Sequence, residues 1–512
     1  MHAQGSLPPA SWRLAAALLV TLGLALLAFA AVRSGTYYDD EIFTIRLLRL
    51  CPTPTELIAC ANSRDVHPPL GYLLDAALRG WLGSWAAVKL AKGLAMALAA
   101  GWLAWSAGRA LPRPAFILLT ALLALDGTLV MWTTSLRWYG WFVPLFTVCL
   151  AQVLWGRLSA LGTLALLTGA GLLLFHVNYL AVIAMPLLGL GWWRRFGAGL
   201  SHRERGLALA LVGAGLLACL PQAAVLARVH LHYHGPQTGS PVMALVQTGL
   251  TIFPGTALFP LAPLSLLASG TFAFAAMAAW RQRLRLPPGL LMMLAFGAAV
   301  MIASGLGYRH RNSLFLHVTA LPLVASVLAA IARPRWRAAA VAIVLAASLQ
   351  GALNAARHVG TIKRSYNTPY PAMLDRIARW GKACPHYAVA HTDIVLAELL
   401  RGRAVQTGLG ATGSVVLAPG DCLIVVSGSA AASWPEETAR WRETIAAAPA
   451  RGVAVVRFSP EPGAALVGRL TGHPVEDHAA TLRLLRLTGP ATIPEFGSTA
   501  PLLPPPPHPG QR

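Results

Sequence analysis

Charged residues are scarce in this sequence. Only 12% of the 512 residues are Asp, Glu, Lys or Arg, whereas 56% are hydrophobic and the mean hydropathy is +0.58. A soluble globular domain carries roughly 25% charged residues. The composition therefore excludes an ordinary cytosolic enzyme and indicates a membrane protein.

Acidic residues are scarcer than basic residues: the chain has 19 Asp and Glu, 41 Lys and Arg, and a net charge of +22. In a soluble chain this balance would suggest a nucleic-acid partner. Here most basic residues separate apolar runs, so membrane topology and contact with lipid phosphate explain them better. The sequence predicts membrane lipids, and no nucleic acid, as partners.

Apolar runs long enough to form membrane spans recur along the first two thirds of the chain. A transmembrane helix needs about 20 mostly apolar residues. The candidates lie near residues 12–32, 85–105, 115–132, 138–155, 158–175, 180–193, 207–227, 261–280, 290–307, 315–331 and 338–353. A further run, 243–258, is broken by Pro254 and Gly255 and is a candidate re-entrant segment, so about 11–13 spans are predicted. The first run lacks a small-residue cleavage site and is expected to be retained as a span.

Arginine distribution predicts the orientation of these spans. The basic residues of the short connections are Arg109, Arg113, Arg157, Arg194, Arg195, Arg203, Arg205, Arg281, Arg283, Arg285, Arg333, Arg335 and Arg337. By the positive-inside rule these connections are cytoplasmic, as is the N-terminus. The first outer loop, residues 33–83, and everything after about residue 356 then face outward. We expect a multi-pass protein of a bacterial inner membrane with a periplasmic C-terminal domain.

The composition changes after residue 366. Short β-like runs at 387–390, 415–417, 423–426 and 453–458 alternate with amphipathic stretches at 372–380, 393–400 and 436–447. This alternation predicts a small α/β domain over residues 367–489, without a nucleotide loop, zinc spacing or nucleophile elbow. Residues 490–512 are Pro-rich and are predicted to be disordered. The fold class is thus a polytopic α-helical membrane domain, 1–366, followed by a small extracytoplasmic α/β domain.

Four of the six cysteines fall in segments predicted to face the oxidising compartment. Cys51 and Cys60 lie in the first outer loop, and Cys384 and Cys422 lie in the C-terminal domain. Two disulfides within these local pairs are one interpretation, and four free thiols are the other.

Acidic residues cluster in one place. Only eight precede residue 366, and six of these fall between residues 39 and 75, where Asp39, Asp40 and Glu41 are consecutive. Adjacent carboxylates repel one another and raise each other's pKa, so such a cluster calls for a cation, a metal or a chemical role. The alternative is a solvated helix N-terminus, because acids are favoured in the first turn and residues 42–50 look helical. A divalent cation such as Mg²⁺ or Mn²⁺ at the triplet is left open, because hard oxygen ligands suit both ions.

The residues after this cluster suggest a polar site over a membrane-facing cavity. The tandem prolines Pro68 and Pro69 fix an extended turn that stops any helix running through it. An apolar helix over residues 70–81 then leads back towards the bilayer. Asp126, in a later span, is either a functional intramembrane acid or a solvated acid where that span ends.

The motif Asp40-Glu41-x-x-Thr44, followed by His67-Pro68-Pro69-Leu70-x-Tyr72, resembles the GT-C superfamily of membrane glycosyltransferases that use polyprenyl-phosphate sugars. Within it, the sequence is most similar to protein O-mannosyltransferases and lipid A aminoarabinose transferases. Further matches in the expected order are Ser135-Leu136-Arg137-Trp138-Tyr139, Phe175-His176-x-x-Tyr179 and Tyr308-Arg309-His310-Arg311. The chain departs from the family at Gly71, where an aromatic residue is common, and at Lys89 and Lys92, where an Arg usually enters the second span.

The resemblance implies a reaction and a set of site residues. When the sugar is transferred, the lipid phosphate of the donor departs without a general acid but needs cationic stabilisation. The acceptor hydroxyl or amine needs a base. Asp40, or Asp39, is the expected base, with Glu41 in the same cluster. The expected donor-phosphate or substrate contacts are His67, Tyr72, Lys89, Lys92, Arg137, Tyr139, His176, Tyr179, Arg309, His310 and Arg311. The resemblance implies inversion at the anomeric carbon, whereas a retaining route would need a nucleophile close to the acid, which the acidic triplet could provide.

Two other functions are consistent with the residues. A ligase or polymerase would move a whole glycan from a polyprenyl diphosphate, but such an enzyme is expected to have a large outer loop late in the chain. A transporter would place ionisable residues in mid-span and often shows inverted repeats. The leading hypothesis remains transfer of a sugar from polyprenyl phosphate to a lipid, glycan or protein acceptor.

Overall fold

A computed structural model describes residues 6–33, 39–64, 67–233, 263–281, 289–304, 310–356, 370–391, 403–408, 414–427, 445–458 and 480–493, with a few isolated positions between them. The chain divides into two compact units. One comprises residues 1–33 with 47–357, and the other comprises residues 34–46 with 358–512.

The first unit is helical. Its helices are α1 (Ala10–Arg33), α3 (Pro54–Arg64), α4 (Leu70–Leu82), α5 (Trp85–Ala107), α6 (Arg113–Ala124), α7 (Gly127–Thr133), α8 (Tyr139–Trp155), α9 (Ala160–Val177), α10 (Ala181–Phe196), α11 (His202–Tyr233), α12 (Pro263–Arg281), α13 (Leu290–Ala303), α14 (Leu314–Ala329) and α15 (Pro334–Ala356). Helix α2 (Asp39–Leu50) runs across the boundary between the units.

Each of the eleven predicted apolar runs coincides with a helix, but fewer helices are long enough to span a bilayer. Among the described residues, six are long and apolar enough, or seven if α6 and α7, bent by 40°, form one span. The predicted count of 11–13 is therefore too high by this measure. Helices α8 and α13 have 17 and 14 residues, so they extend about 21–26 Å at 1.5 Å per residue, less than the roughly 30 Å of hydrocarbon. The broken run 243–258 lies almost wholly outside the described residues.

Small residues let α1 and α5 pack closely. A Cβ on Gly93 would lie 2.7 Å from the Cβ of Ala28, and one on Gly101 would lie 2.3 Å from Oγ1 of Thr21. The Thr21 hydroxyl donates to the carbonyl of Ala97 at 3.3 Å across the same contact. Close backbone approach through small residues is a common way to join helices in membranes.

The second unit is the predicted α/β domain. Its elements are α16 (Tyr370–Lys382), β1 (Tyr387–His391), β2 (Val405–Gly408), β3 (Val415–Leu417), β4 (Cys422–Ser427), β5 (Ala450–Phe458), β6 (Ala480–Leu487) and β7 (Ala491–Ile493). One sheet has the order β2-β1-β4-β6-β5, in which β1 runs parallel to β2 and β4 and the other pairs are antiparallel. Strands β3 and β7 form an antiparallel pair.

Four of these strands, β1, β3, β4 and β5, confirm predicted β-runs. Strand β7 corrects the expected start of the Pro-rich tail, because Ile493 is buried beside Val415 in an apolar cluster. Residues 494–512, the expected boundary at 366–367 and most of the predicted helices 393–400 and 436–447 lie outside the described residues.

Candidate functional site

Both predicted cysteine pairs are bonded. Cys51 joins Cys60, and Cys384 joins Cys422, so the alternative of four free thiols is wrong. The first disulfide fixes α3, whose start carries a capping box. There the Thr53 backbone N–H and hydroxyl donate to Glu56, and the backbone hydrogen bond is the main reason that the pKa of Glu56 is lowered.

The structure brings two of the sequence motifs together around Arg137. This residue lies in the turn between α7 and α8, and its Nη1 donates to the Tyr72 hydroxyl at 3.1 Å. Its Nη2 lies 3.3 Å from Nδ1 of His67, which accepts a hydrogen bond when that nitrogen carries no proton. The two partners are 65 and 70 residues away from Arg137 in sequence. The prolines Pro68 and Pro69 end the turn before α4 and thereby position His67 and Tyr72 next to Arg137.

These side chains line a recess of about 220 Å³. Its walls are His67, Pro68, Gly71, Tyr72, Asp75, Leu136, Arg137, Trp138 and Val177. Gly71 is the position of the departure from the family pattern, and a Cβ there would make only an ordinary contact with Val177 at 4.0 Å.

A buried ion pair forms part of the recess wall. Nζ of Lys92 donates to the two carboxylate oxygens of Asp75 at 2.8 and 3.0 Å, and Nε1 of Trp141 donates to Oδ1 at 2.8 Å. Both charged side chains are almost fully buried, at 0% and 2% exposure. Burial raises the pKa of the Asp75 carboxyl, and the neighbouring ammonium opposes this shift. Gly140 makes room for the lysine, since a Cβ there would lie 2.3 Å from its Cε.

This pair corrects the expectation that Lys92 contacts donor phosphate, because the ammonium is bound to Asp75. Asp75 is not among the residues predicted for the site. Two signals point to it: an acid three residues after Tyr72 shares its helix face, and a lysine within an apolar span needs an anion.

The remaining predicted contacts either do not line the recess or lie outside the described residues. Tyr139 is buried and packs edge-on against Trp132 and Trp138, with ring centres 5.3 and 4.9 Å apart. The hydroxyl of Tyr179 accepts from Gln222 at 3.4 Å. Lys89 is buried on α5, His176 packs against Phe175, and Arg311 is buried in a 3-10 turn before α14. Arg309 is not among the described residues, and nothing is described for the side chain of His310.

The acidic triplet forms the first turn of α2, as the helical alternative predicted, although that turn is not solvated at Glu41. Glu41 is buried, and the Thr44 hydroxyl donates to the Asp40 carbonyl at 3.1 Å. Within the described part of the chain, no three His, Cys, Asp or Glu side chains form a metal-binding group. The side chain of Asp39 is not described, so a divalent ion at the triplet is untested.

Asp126 is neither solvated nor alone. It caps α7 by accepting from the Leu129 backbone N–H at 3.0 Å, and its other oxygen lies 2.7 Å from Nε2 of His317 on α14. Both side chains are buried. The apolar run does break at this residue, as one alternative held, but the expectation of a wet acid is wrong. No local pattern points to His317, which is 191 residues away.

Removing the imidazole should destabilise the first unit. In the His317→Ala variant, Asp126 keeps its capping bond but loses a buried partner, and such a loss costs about 1–3 kcal/mol. Thermal unfolding of the detergent-solubilised full chain measures the change. The matched control is Thr319→Ala on the same helix, whose buried hydroxyl donates only to the Phe315 carbonyl. Equal shifts in the two variants would contradict a stabilising pair.

Comparison with known proteins gives little further guidance. No family model matches the chain, and no curated protein does. Among solved structures, the chain is similar to one described as the crystal structure of ArnT from Cupriavidus metallidurans in the apo state, with 13% sequence identity, a TM-score of 0.49, and coverage of 91% of this chain and 97% of that chain. A similarity of this degree defines neither a family nor an activity.

Proposed function

We propose that the protein is a GT-C-type membrane glycosyltransferase that moves a sugar from a polyprenyl-phosphate donor to an acceptor on the extracytoplasmic side of the membrane. One observation carries this proposal: Arg137 is held by Tyr72 and His67 in a small recess. Two of the motifs that carry the family resemblance therefore contribute to the same site. This convergence supports a phosphate-binding role for the recess.

The chemistry of Arg137 suits a departing lipid phosphate. A guanidinium is always charged and presents five N–H donors in a planar fork that matches phosphate oxygens. The contacts to Tyr72 and His67 use two of these donors and fix the plane of the group. The side chain is only 8% exposed, and a preorganised cation acts more strongly on developing charge where water is excluded.

Asp40 is the base in this proposal. A carboxylate that takes the proton of an acceptor hydroxyl or amine raises its nucleophilicity, while phosphate departure requires no acid. With one carboxylate acting at the sugar, attack occurs from the face opposite the phosphate and the anomeric configuration inverts. Asp39 and Glu41 remain proposed members of the same acidic site, and the outward orientation of residues 33–83 is part of the proposal.

Asp40→Asn tests this assignment. Transfer by the purified full chain, reconstituted with a polyprenyl-phosphate sugar pool and followed by mass spectrometry, should fall about 100-fold, as is typical for loss of a general base. The control is Glu56→Gln, which removes an exposed acid from α3. Unchanged transfer in the Asp40 variant would remove this carboxylate from the mechanism, and a product with retained configuration would contradict direct displacement.

The substrates can be identified by comparing lipid-linked material and surface glycolipids with and without the protein. We expect loss of a single sugar residue from one acceptor class and accumulation of its polyprenyl-phosphate donor. Loss of a whole glycan would instead indicate a ligase or polymerase acting on a polyprenyl diphosphate. Movement of a solute without a covalent product would indicate a transporter.

A further inference from the structure

Four arginines and two tryptophans gather at one end of the first unit, where α1 and α6 begin and α5 and α8 end. The guanidinium carbons of Arg13 and Arg109 lie 5.2 and 5.9 Å from the ring centre of Trp105, so two cations share one indole. The guanidinium of Arg113 lies 5.5 Å from the ring centre of Trp12. We call this group, completed by Arg157, the arginine–tryptophan cluster.

The cluster concentrates positive charge without an anion. In the described part of the chain, no carboxylate forms an ion pair with any of its four arginines. The Nε atoms of Arg13 and Arg109 are buried and have no hydrogen-bond partner there. Burial, and then the like charges of Arg157 and Arg13, lower the pKa of Arg109. Buried polar groups in native proteins are almost always satisfied, so this arrangement calls for an anionic ligand.

The backbone is shaped to keep these cations together. A Cβ on Gly108 would lie 2.6 Å from Cγ and 3.0 Å from Cδ of Arg13. Gly108 has φ −64° and ψ −4°, which any residue adopts. Glycine is therefore needed here for space, since it lets the aliphatic stem of Arg13 cross the turn after α5.

Apolar surface lies beside the cluster. Trp12 and Leu14 on α1, Trp102 on α5 and Ile117 on α6 are all large hydrophobic side chains that remain exposed. A free phosphate ion would not cover this apolar surface, whereas the acyl chains of a lipid would cover it.

We propose that the arginine–tryptophan cluster binds the phosphate headgroup of an anionic phospholipid, such as phosphatidylglycerol or cardiolipin. Basic pockets between transmembrane helices on the cytoplasmic side are suited to such lipids, and this end of α1 is the one that the arginine distribution predicts to be cytoplasmic. The proposal is independent of the glycosyltransferase activity, and its test uses no activity measurement.

Native mass spectrometry of the full chain, with titrated phosphatidylglycerol or phosphatidylcholine, measures the site. The wild type should retain phosphatidylglycerol in preference to phosphatidylcholine. The double variant Arg13→Gln, Arg109→Gln should bind it about 30-fold more weakly, since each basic residue contributes about 1 kcal/mol to anionic-lipid binding. Gly108→Ala, which changes no charge but displaces Arg13, should also weaken binding, and it serves as the second variant if the double variant does not fold.

The matched control is Arg333→Gln with Arg335→Gln, which removes two exposed arginines at the start of α15. Equal weakening in the control and the cluster variant would overturn the proposal, because binding would then follow net charge alone. The same conclusion would follow if Gly108→Ala bound phosphatidylglycerol as tightly as the wild type. A third arm adds inorganic phosphate: displacement of the lipid at equal concentration would show a free-phosphate site and overturn the assignment to a lipid.

Discussion

Replacing Arg137 with Gln should lower sugar transfer about 1,000-fold while leaving the protein folded. Removing one preorganised group that stabilises developing charge typically costs 10²–10³ in rate, and here the group is the cation of the recess. Arg137→Lys should restore only part of the activity. An ammonium keeps the charge but cannot form the two-pronged contact with phosphate oxygens, nor can it hold Tyr72 and His67 at once.

Steady-state transfer with varied donor separates the role of Arg137 in catalysis from a role in donor binding. If the guanidinium acts on the departing phosphate, kcat falls more than KM rises. Tyr72→Phe should give a smaller loss of about tenfold, because it removes one hydrogen bond to a charged group, worth about 1.5–3 kcal/mol. The control is Arg228→Gln on α11, an exposed arginine whose Nε donates to its own helix. An Arg137→Gln variant as active as this control would contradict the phosphate role.

The sequence was sufficient to predict the local features of this fold. Apolar periodicity located every candidate span as a helix, and the tandem prolines predicted where α4 begins. Motif order also predicted that His67, Tyr72 and Arg137 belong to one site, although only the folded chain shows the contacts between them. Fewer helices in the described residues pass the length test than the predicted 11–13 spans, because composition does not reveal where a helix ends, as the break at Asp126 illustrates.

Pairings between distant residues could not be predicted from one sequence. The contact between Asp126 and His317 depends on how α7 and α14 pack, and no local pattern encodes it. Strand β6 was missed because its arginines Arg483 and Arg486 interrupt the apolar residues, and their alternation is meaningful only once β4 and β5 flank it. Likewise, Lys92 was assigned to phosphate because the sequence could not show that Asp75 lies 2.8 Å away.

The Asp75–Lys92 pair should have the largest effect on stability. Asp75→Asn keeps the shape of the side chain and an oxygen that can accept from Trp141, but it removes the carboxylate that pairs with the buried ammonium of Lys92. Breaking a buried pair in this way costs about 3–5 kcal/mol, whereas replacing both partners with neutral groups is often neutral or stabilising. The free energy of unfolding should therefore fall in Asp75→Asn and recover in the double variant Asp75→Asn, Lys92→Met.

Denaturant or thermal unfolding of the solubilised chain measures this cycle. The control is Asp375→Asn, which breaks an exposed pair with Arg379 and should change stability little.

Tyr72 lies one turn from Asp75 on α4, and Arg137 lies one turn from Trp141, so the two side-chain contacts join the same two segments. A rescued double variant should consequently recover sugar transfer together with stability. If Asp75→Asn is as stable as the wild type, or if removing Lys92 as well gives no recovery, charge compensation does not hold this wall of the recess in place.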